Sequence, residues 1–249
     1  MKLLTLLLAT SLLSPIVYGQ QKSIKLEEVE YFNKISVGPM INLEFTQGET
    51  ESVEVKYRNV EEDDINIKIV GKTLKVYLDK SKYLPQRRKE QTGSYYQRVN
   101  VYERASVTAV VTVRDLKKIE SRGEERIYSE KGLITDKLKI KAYGESDIRL
   151  NSLKADRLKV VMYGTHNLKI KEGIVKRQVI KGIGDNVVKN TDLLTDRTKV
   201  GIIGESHVRI NARDYLRLSS LGETTLEYSG LPRINRWFTI GENDMHQMR

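Results

Sequence analysis

The chain has no cysteine among its 249 residues. Without a thiol it can form neither a disulfide framework nor a thiolate metal site, and it has no cysteine to carry the lipid of a lipoprotein. An exported protein of this kind must rely on its β ladders and its hydrophobic core for stability.

Histidine is also scarce, and the three that occur do not share a position in the repeat described below: His166, His207 and His246. A histidine metal site is therefore not predicted. Ser206 directly precedes His207, but neighbouring residues of a strand face opposite sides of the sheet, and no G-x-S-x-G elbow occurs. The sequence predicts no catalytic residue and no metal.

Phosphate-binding loops are missing as well. Gly182-Ile183-Gly184 lacks the third glycine of a dinucleotide-binding loop, because Val187 stands in its place. No cofactor is therefore predicted. A polysaccharide lyase or hydrolase built on a β-helix remains the enzymatic alternative, and it would need acids and an arginine clustered in one groove.

Long apolar runs are absent after the N-terminus. Residues 1–19 resemble a secretory signal peptide, with Lys2 as a positive end, an apolar run over Leu3–Leu13, and small residues for cleavage at Val17-Tyr18-Gly19. We expect the mature chain to begin at Gln20. A membrane anchor is the competing interpretation, but the run is short and is interrupted by polar residues and proline: Thr10, Ser11, Ser14 and Pro15.

What the chain does contain indicates a folded but thin structure. Apolar residues make up 39% and charged residues 31%, which is polar for a globular protein, yet Val, Ile, Leu and Tyr are too plentiful for disorder. The net charge of +10 favours acidic partners. In an exported protein these would be anionic polysaccharide or lipid headgroups rather than nucleic acid. The alternative is that the charge serves solubility alone.

A short phrase ending in glycine recurs six times between Asp115 and Tyr228. Examples are LKIKAYGESDIRL from Leu138 and LKVVMYGTHNLKI from Leu158. The steps between successive glycines are 21, 20, 20, 20 and 18 residues, which identifies a repeat. We call these the corner glycines: Gly123, Gly144, Gly164, Gly184, Gly204 and Gly222.

Positions four before and four after every corner glycine are apolar. Because side chains alternate along a strand, even offsets are predicted to point inward. A unit of about 20 residues cannot bury its apolar side alone, so successive units should stack about 4.8 Å apart as coils. The predicted fold is all-β, a β-solenoid resembling a single-stranded β-helix, with glycine at a corner that needs positive φ or no Cβ.

Aspartate occupies the position eight before the glycine in most units. It fits a turn in which the carboxylate accepts hydrogen bonds from backbone amides two residues on. Calcium binding is the alternative, but the glycine-aspartate nonapeptide of calcium-binding β-rolls is absent. The column comprises Asp115, Asp136, Asp156, Asp196 and Asp214, with Lys176 as the exception.

The odd, outward positions are rich in lysine and arginine. Stacked like charges repel one another unless salt, acids or a polyanion offset them. The outward columns are therefore either a solvated face balanced by the Asp column or a platform for a polyanion. The residues are Lys118, Lys139, Lys159, Lys199 and Arg217 five before the glycine; Arg149, Lys169, Lys189 and Arg209 five after it; and Lys137, Arg157, Arg177 and Arg197 seven before it.

Two tyrosines, Tyr143 and Tyr163, directly precede corner glycines and are predicted to stack on the outside. They could form a platform for a sugar ring or a stabilising aromatic ladder. The candidate ligand-binding residues are accordingly Lys139, Lys159, Lys199, Arg217, Tyr143 and Tyr163.

Apolar and polar residues alternate with period two before the repeat, which predicts strands. Hairpin-like connections are expected at Gly38-Pro39 and Gln47-Gly48, and a tight turn at Val70-Gly71-Lys72. At the C-terminus, an apolar lid over Leu226 and Tyr228 is expected from Trp237, Phe238 and Ile240. The predicted organisation is a signal peptide (1–19), an N-terminal β region of antiparallel capping strands (20–113) with a long basic loop (79–104), the repeat (114–230) and a capping tail (231–249).

Several phrases together resemble the GIN-domain family, whose members are described as auto-transporter adhesin heads. These are Phe32-Asn33-Lys34-Ile35-Ser36-Val37, Leu43-Glu44-Phe45-Thr46-Gln47-Gly48, Leu74-Lys75-Val76 and the glycine phrases closing in Tyr228-Ser229-Gly230-Leu231-Pro232. The resemblance spans about residues 31–232. It implies an exported envelope protein with a β-solenoid-like fold, and it brings no catalytic residues with it.

The sequence therefore predicts an exported, non-enzymatic protein of the periplasm, the outer-membrane surface or the extracellular space. Its expected role is surface interaction or adhesion, with an anionic glycan or envelope surface as partner. A purely structural envelope protein is the further alternative. The ligand and the oligomeric state stay open.

Overall fold

The computed structural model describes residues 20–248, so the predicted signal peptide lies outside the described part. The protein is all-β, and its main sheet has twelve strands and is curled. Within residues 20–248, no helix is long and apolar enough to cross a membrane. Single 3-10 turns occur at Glu62–Asp64 and Asp79–Ser81. The strands are β1 (Lys22–Lys25), β2 (Lys34–Val37), β3 (Ile41–Gln47), β4 (Ser52–Arg58), β5 (Ile65–Val70), β6 (Thr73–Leu78), β7 (Arg87–Thr92), β8 (Tyr95–Asn100), β9 (Ser106–Val113), β10 (Lys118–Gly123), β11 (Arg126–Ile183), β12 (Asn186–Ser229), β13 (Arg233–Ile240) and β14 (Asn243–Gln247).

The repeat pairs with itself in parallel and in register. β11 pairs with β12 so that each residue faces the one 20 positions later, as in Ile180 with Val200. β10 pairs with β11 in the same way, with Ile119 beside Ile140. Like residues therefore lie on neighbouring rungs. The residues four before the corner glycines are buried, because the alternation of the strand turns them inward.

The corner glycines adopt a backbone conformation that side chains with a Cβ rarely adopt. Their φ angles run from +95° at Gly144 to +135° at Gly123. A Cβ on Gly144 would lie 2.8 Å from the carbonyl oxygen of Gly123, and one on Gly164 would overlap the carbonyl oxygen of Gly144. The column extends beyond the repeat recognised in the sequence, because Gly241, with φ +97°, packs on Gly222 in the same way.

The hairpins expected at Gly38-Pro39 and Gln47-Gly48 do not form. β2 pairs in parallel with β10 and β6, and β3 pairs in parallel with β11 and β9. The turn residues instead make corners, and Met40 has the positive φ of +69° at the first of them. The parallel pairing of the repeat thus continues into strands that the sequence analysis assigned to a separate region.

Antiparallel strands occur at the outer positions of the sheet. β5 pairs with β6 across Gly71, at the predicted tight turn, and lies at one edge. On the other branch β4 pairs antiparallel with β9, and β1 pairs antiparallel with β4. Large aromatic side chains are buried beneath these strands: Phe32, Phe45 and Tyr57.

The long basic loop expected over residues 79–104 is largely a hairpin. β7 and β8 form a separate two-stranded antiparallel sheet, with Thr92 facing Tyr95. Gly93, with φ +63°, supplies the first residue of the two-residue turn, which favours a hairpin. The residues of this hairpin are mostly exposed, including Tyr95 and Tyr96.

The C-terminal tail is not an apolar lid. β13 and β14 pair in parallel with β12 and continue its rungs. Trp237, Phe238 and Ile240 are 67%, 52% and 52% exposed, because they occupy outward positions of that added rung.

The Asp column does not make the backbone turns expected of it. Asp115, Asp156 and Asp196 form ion pairs with Lys117, Lys176 and Arg213. Among the described residues, none of these carboxylates accepts a hydrogen bond from a backbone amide. The backbone here is extended and ladder-paired. The carboxylates therefore pair with cations on the same rung, as Asp115 does, or on the next rung, as Asp156 and Asp196 do.

Candidate functional site

The lysines five residues before the corner glycines form a column on the outward face, which we call the lysine column: Lys118, Lys139, Lys159 and Lys199. Lys118 and Lys139 are register partners in neighbouring strands. Lys118 is neutralised by Glu120 at 2.7 Å, and the same carboxylate pairs with Arg122. In residues 20–248 no carboxylate forms an ion pair with Lys139, Lys159 or Lys199, so none of these lysines has a directly bound counter-charge.

The electrostatics of Lys139 reflect this crowding. Burial, and then the positive charges of Lys141, Lys159 and Lys118, lower the pKa of Lys139. A nearby anion would relieve this repulsion, whereas bare stacked lysines destabilise the fold.

The structure does not bring all the predicted binding residues together. Val179 is the register partner of Lys199 and stands between it and Lys159 in the column. Arg217 lies one rung beyond Lys199, with its guanidinium carbon 4.2 Å from the ring centroid of Trp237. Lys139 and Lys159 therefore form one cluster, and Lys199 with Arg217 a second.

The two candidate tyrosines stack on each other. The rings of Tyr143 and Tyr163 are 5.1 Å apart between centroids and nearly parallel, at 5°. The Arg122 guanidinium covers the other face of Tyr143, at 4.5 Å. Because both faces of Tyr143 are occupied, its edge is the part open to a ligand. The geometry favours the aromatic ladder over the sugar platform.

Tyr143 and Tyr163 begin a longer exposed stripe, the apolar lane, made of the residues that precede the corner glycines from Gly144 onward and the residue that precedes Gly241. Sequence reasoning missed it because only the two tyrosines were aligned in that column. Its later members are 42–52% exposed. Ile183 pairs in register with Ile203, and Leu221 with Ile240. The lane comprises Tyr143, Tyr163, Ile183, Ile203, Leu221 and Ile240.

An acidic column follows the corner glycines directly and was also missed. Its members are exposed, and none forms an ion pair among the described residues. Three of them line a groove of about 410 Å³ together with Asp244. Aligning the residue after each glycine would have found the column: Glu124, Glu145, Asp185, Glu205, Glu223 and Glu242, with Thr165 as the exception.

Glu125 is the one acid buried at the first corner, at 7% exposure. One carboxylate oxygen accepts a hydrogen bond from the Met40 backbone amide, and the other has no partner in the described residues. Burial raises the pKa of Glu125 to about 7. His166 lies two rungs away in the equivalent position, and burial lowers its pKa.

Metal-ligating side chains do not gather into a site. In the described range, no group of three or more histidine, aspartate or glutamate side chains is arranged to hold a metal ion. His207 and His246 instead contact Glu227, at 3.0 and 3.3 Å, alongside Arg209. This cluster links neighbouring rungs, since Glu227 and His246 are register partners.

Comparison with known proteins identifies one family. The model described as "Putative auto-transporter adhesin, head GIN domain" matches residues 31–232. No curated protein sequence matches this chain.

Solved structures with the same fold come from Bacteroides and Parabacteroides species. A putative adhesin from Bacteroides fragilis has 21% identity and a TM-score of 0.73, covering 92% of this chain and 97% of its own. A putative adhesin from Parabacteroides merdae has 18% identity and a TM-score of 0.66, covering 93% and 98%. A putative lipid binding protein from Parabacteroides distasonis has 15% identity and a TM-score of 0.65, also covering 93% and 98%. At these identities the likeness concerns the fold.

Proposed function

Because the chain belongs to the family described as putative auto-transporter adhesin, head GIN domain, we propose that it is an exported, non-enzymatic surface-interaction protein that binds anionic glycans. Its place would be the periplasm, the outer-membrane surface or the extracellular space. The binding residues would be Lys139, Lys159, Lys199 and Arg217, with Tyr143 and Tyr163 at the margin.

The architecture we propose for this role is a β-solenoid that begins at β2 and β3 and continues to β14. Three observations support it: parallel pairing at a spacing of 20 residues, packing of each corner glycine on the one before, and alternation of buried and exposed residues. A stack of this kind repeats the same outward side chain about every 4.8 Å. A linear polymer with regularly spaced charges suits such a surface.

The observation that carries the function is the lysine column. Burial lowers the pKa of Lys139, and the positive charges of Lys141, Lys159 and Lys118 lower it further. Neither Lys139 nor Lys159 forms an ion pair with an acid of the described chain. Holding these charges together costs stability, and a polyanion would remove that cost while gaining binding energy.

Binding to an immobilised polyuronate or sulfated polysaccharide, measured at low and high salt, tests the function. The triple variant Lys139→Glu, Lys159→Glu, Lys199→Glu should lose binding, and the wild-type affinity should fall steeply as salt rises. The matched control reverses three exposed lysines that lie outside the basic columns instead: Lys131, Lys154 and Lys171.

Each outcome separates the candidates. Salt-sensitive binding lost only in the lysine-column variant supports the proposed function. Equal loss in both variants would mean a net-charge effect without a site. Turnover of the polysaccharide would favour the enzymatic alternative, and no binding at all would favour a structural envelope protein.

A further inference from the structure

The apolar lane is an exposed hydrophobic surface that runs along the stack. Tyr163, Ile183, Ile203, Leu221 and Ile240 are 40%, 42%, 49%, 45% and 52% exposed. Six rungs at about 4.8 Å give the lane a length of about 24 Å. Exposed apolar surfaces rimmed by polar residues mark interaction sites.

The middle of the lane, from Tyr163 to Leu221, lines a groove of about 390 Å³. Residues three before the corner glycines add small or apolar surface there, including Gly201, Ser219 and Phe238. The lane and the groove are therefore one surface.

In two of its rungs the lane has a lysine on one side and an acid on the other. In the rung of Gly184, Lys181 precedes Ile183 by two residues and Asp185 follows it by two. All three side chains are exposed, and neither charge forms an ion pair in the described part of the chain. The rung of Gly144 repeats the order, with Lys141, Tyr143 and Glu145.

This asymmetry discriminates between occupants. An anionic lipid surface would be attracted by the basic side and repelled by the acidic column, which begins immediately past the glycines. The complementary partner surface has an apolar centre that covers the lane, acids that face the lysines and bases that face the acidic column. A second copy of this chain provides that surface when it is turned by two-fold rotation.

We infer that the apolar lane is the interface of a homodimer whose two-fold axis runs parallel to the stack. Rotation about that axis keeps every rung at its own height, so Ile183 meets the partner's Ile183 and Lys181 faces the partner's Asp185. Lys141 faces the partner's Glu145 in the same way. A two-fold axis across the stack would instead place bases against bases.

This interface goes beyond glycan binding and does not require it. The interface is narrow, so the dimer should be of the weak, dissociable class. In sedimentation measurements on the purified protein, the weight-average mass should rise from that of the monomer towards that of the dimer over about 1 to 100 µM.

Charge exchange tests the predicted pairing. Lys181→Asp alone and Asp185→Lys alone should each raise the dimer dissociation constant about tenfold or more, because like charges then face each other. The double variant Lys181→Asp, Asp185→Lys should restore the wild-type constant. Restoration cannot come from misfolding, so a poorly folded single variant does not obscure the result.

Single cysteines test the orientation, since the chain has no other thiol. Under mild oxidation Ile183→Cys should form a disulfide-linked dimer with itself. Ile174→Cys should not, because Ile174 lies outside the lane although it is 50% exposed against 42% for Ile183. Linkage only between Ile183→Cys and Leu221→Cys in a mixture would show the antiparallel arrangement and overturn the parallel one.

Two further results would overturn the dimer. One is a wild-type protein that stays monomeric throughout the concentration series. The other is a monomer that binds vesicles of anionic phospholipid and loses this binding in Ile203→Glu, which would assign the lane to a membrane. Glycan binding by the lysine column and dimerisation through the lane are measured in separate experiments, so either proposal can fail while the other is still tested.

Discussion

The two ends of the parallel stack are built differently. At the N-terminal end the sheet finishes in antiparallel strands, β5 on one branch and β4 with β1 on the other, over buried aromatic side chains. At the C-terminal end β13 and β14 each pair only with β12 in the described residues, and their side chains are almost all exposed. Both ends leave an edge strand with unpaired backbone groups. The N-terminal end, which we call the closed end, buries large side chains, whereas the C-terminal end, which we call the open end, buries few.

The largest expected difference in stability is between a corner glycine inside the stack, Gly164, and Gly241 at the open end. Gly164→Ala should destabilise the protein by roughly 2–4 kcal/mol, because the methyl group would overlap the Gly144 carbonyl at a φ of +121°. Gly241→Ala meets a similar overlap, but its rung can fray, so the cost should be smaller. Thermal and denaturant unfolding measure both.

Gly132→Ala is the matched control for these substitutions. Gly132 lies in the same strand, has no positive φ, and its nearest contact to an added Cβ is 3.6 Å away. Equal stability of Gly132→Ala and Gly164→Ala would contradict the role given to the corner.

The N-terminal end should be sensitive to pH through Glu125. Its pKa is raised from 4.5 to about 7 in the folded protein, so the fold favours the protonated form. The resulting stability is complete below about pH 4.5 and is lost as the pH rises through about 7. Glu125→Gln keeps an acceptor for the Met40 amide and removes the charge. It should raise stability at pH 8 by about 1–3 kcal/mol and flatten the profile between pH 5 and 8.

An exposed acid at the C-terminal end serves as the control for the buried Glu125. Glu242→Gln, an exposed acid at the last corner, should leave the pH profile unchanged. If both variants gave the same profile as the wild type, burial of Glu125 would not be controlling the titration.

The smallest expected difference in the free energy of unfolding concerns the arginine–aromatic contacts at the two ends. Arg122 covers Tyr143 and also pairs with Glu120, whereas Arg217 covers the exposed ring of Trp237. Arg122→Ala should cost about 1 kcal/mol and Arg217→Ala about half of that or less. Equal unfolding free energies for the two variants would show that the closed end is no better ordered.

Much of the stack could be predicted because its constraints are local and repeated. The positions four before and four after Gly144 and Gly204 are apolar, since every rung buries the same side, and this pattern is kept when one apolar residue replaces another. The N-terminal strands were harder: Gly38-Pro39 has the composition of a hairpin turn, and only the pairing of Ile35 with Ile119 shows that it is a corner. The choice depends on partners more than 80 residues away, which local pattern does not contain.

The candidate site was predicted by residue type but not by arrangement. Lys139 and Lys159 do lie together, yet Val179 interrupts the column before Lys199. The phrase around Gly241 was missed because a bulge after Leu218 shifts its register and Trp237 and Phe238 replace the usual residues. Whether Lys139, Lys159, Lys199, Arg217, Tyr143 and Tyr163 bind a ligand stays a prediction.

The gap at Val179 offers the most direct test of the central claim, that stacked lysines on this face bind a polyanion. Val179→Lys should join Lys159 to Lys199 and raise the affinity for an anionic polysaccharide by about 2- to 5-fold, with a steeper dependence on salt. Val187→Lys adds the same charge to a half-exposed position after the corner and should leave the affinity nearly unchanged. Equal affinities for the wild type and Val179→Lys, or equal gains for both variants, would contradict the claim.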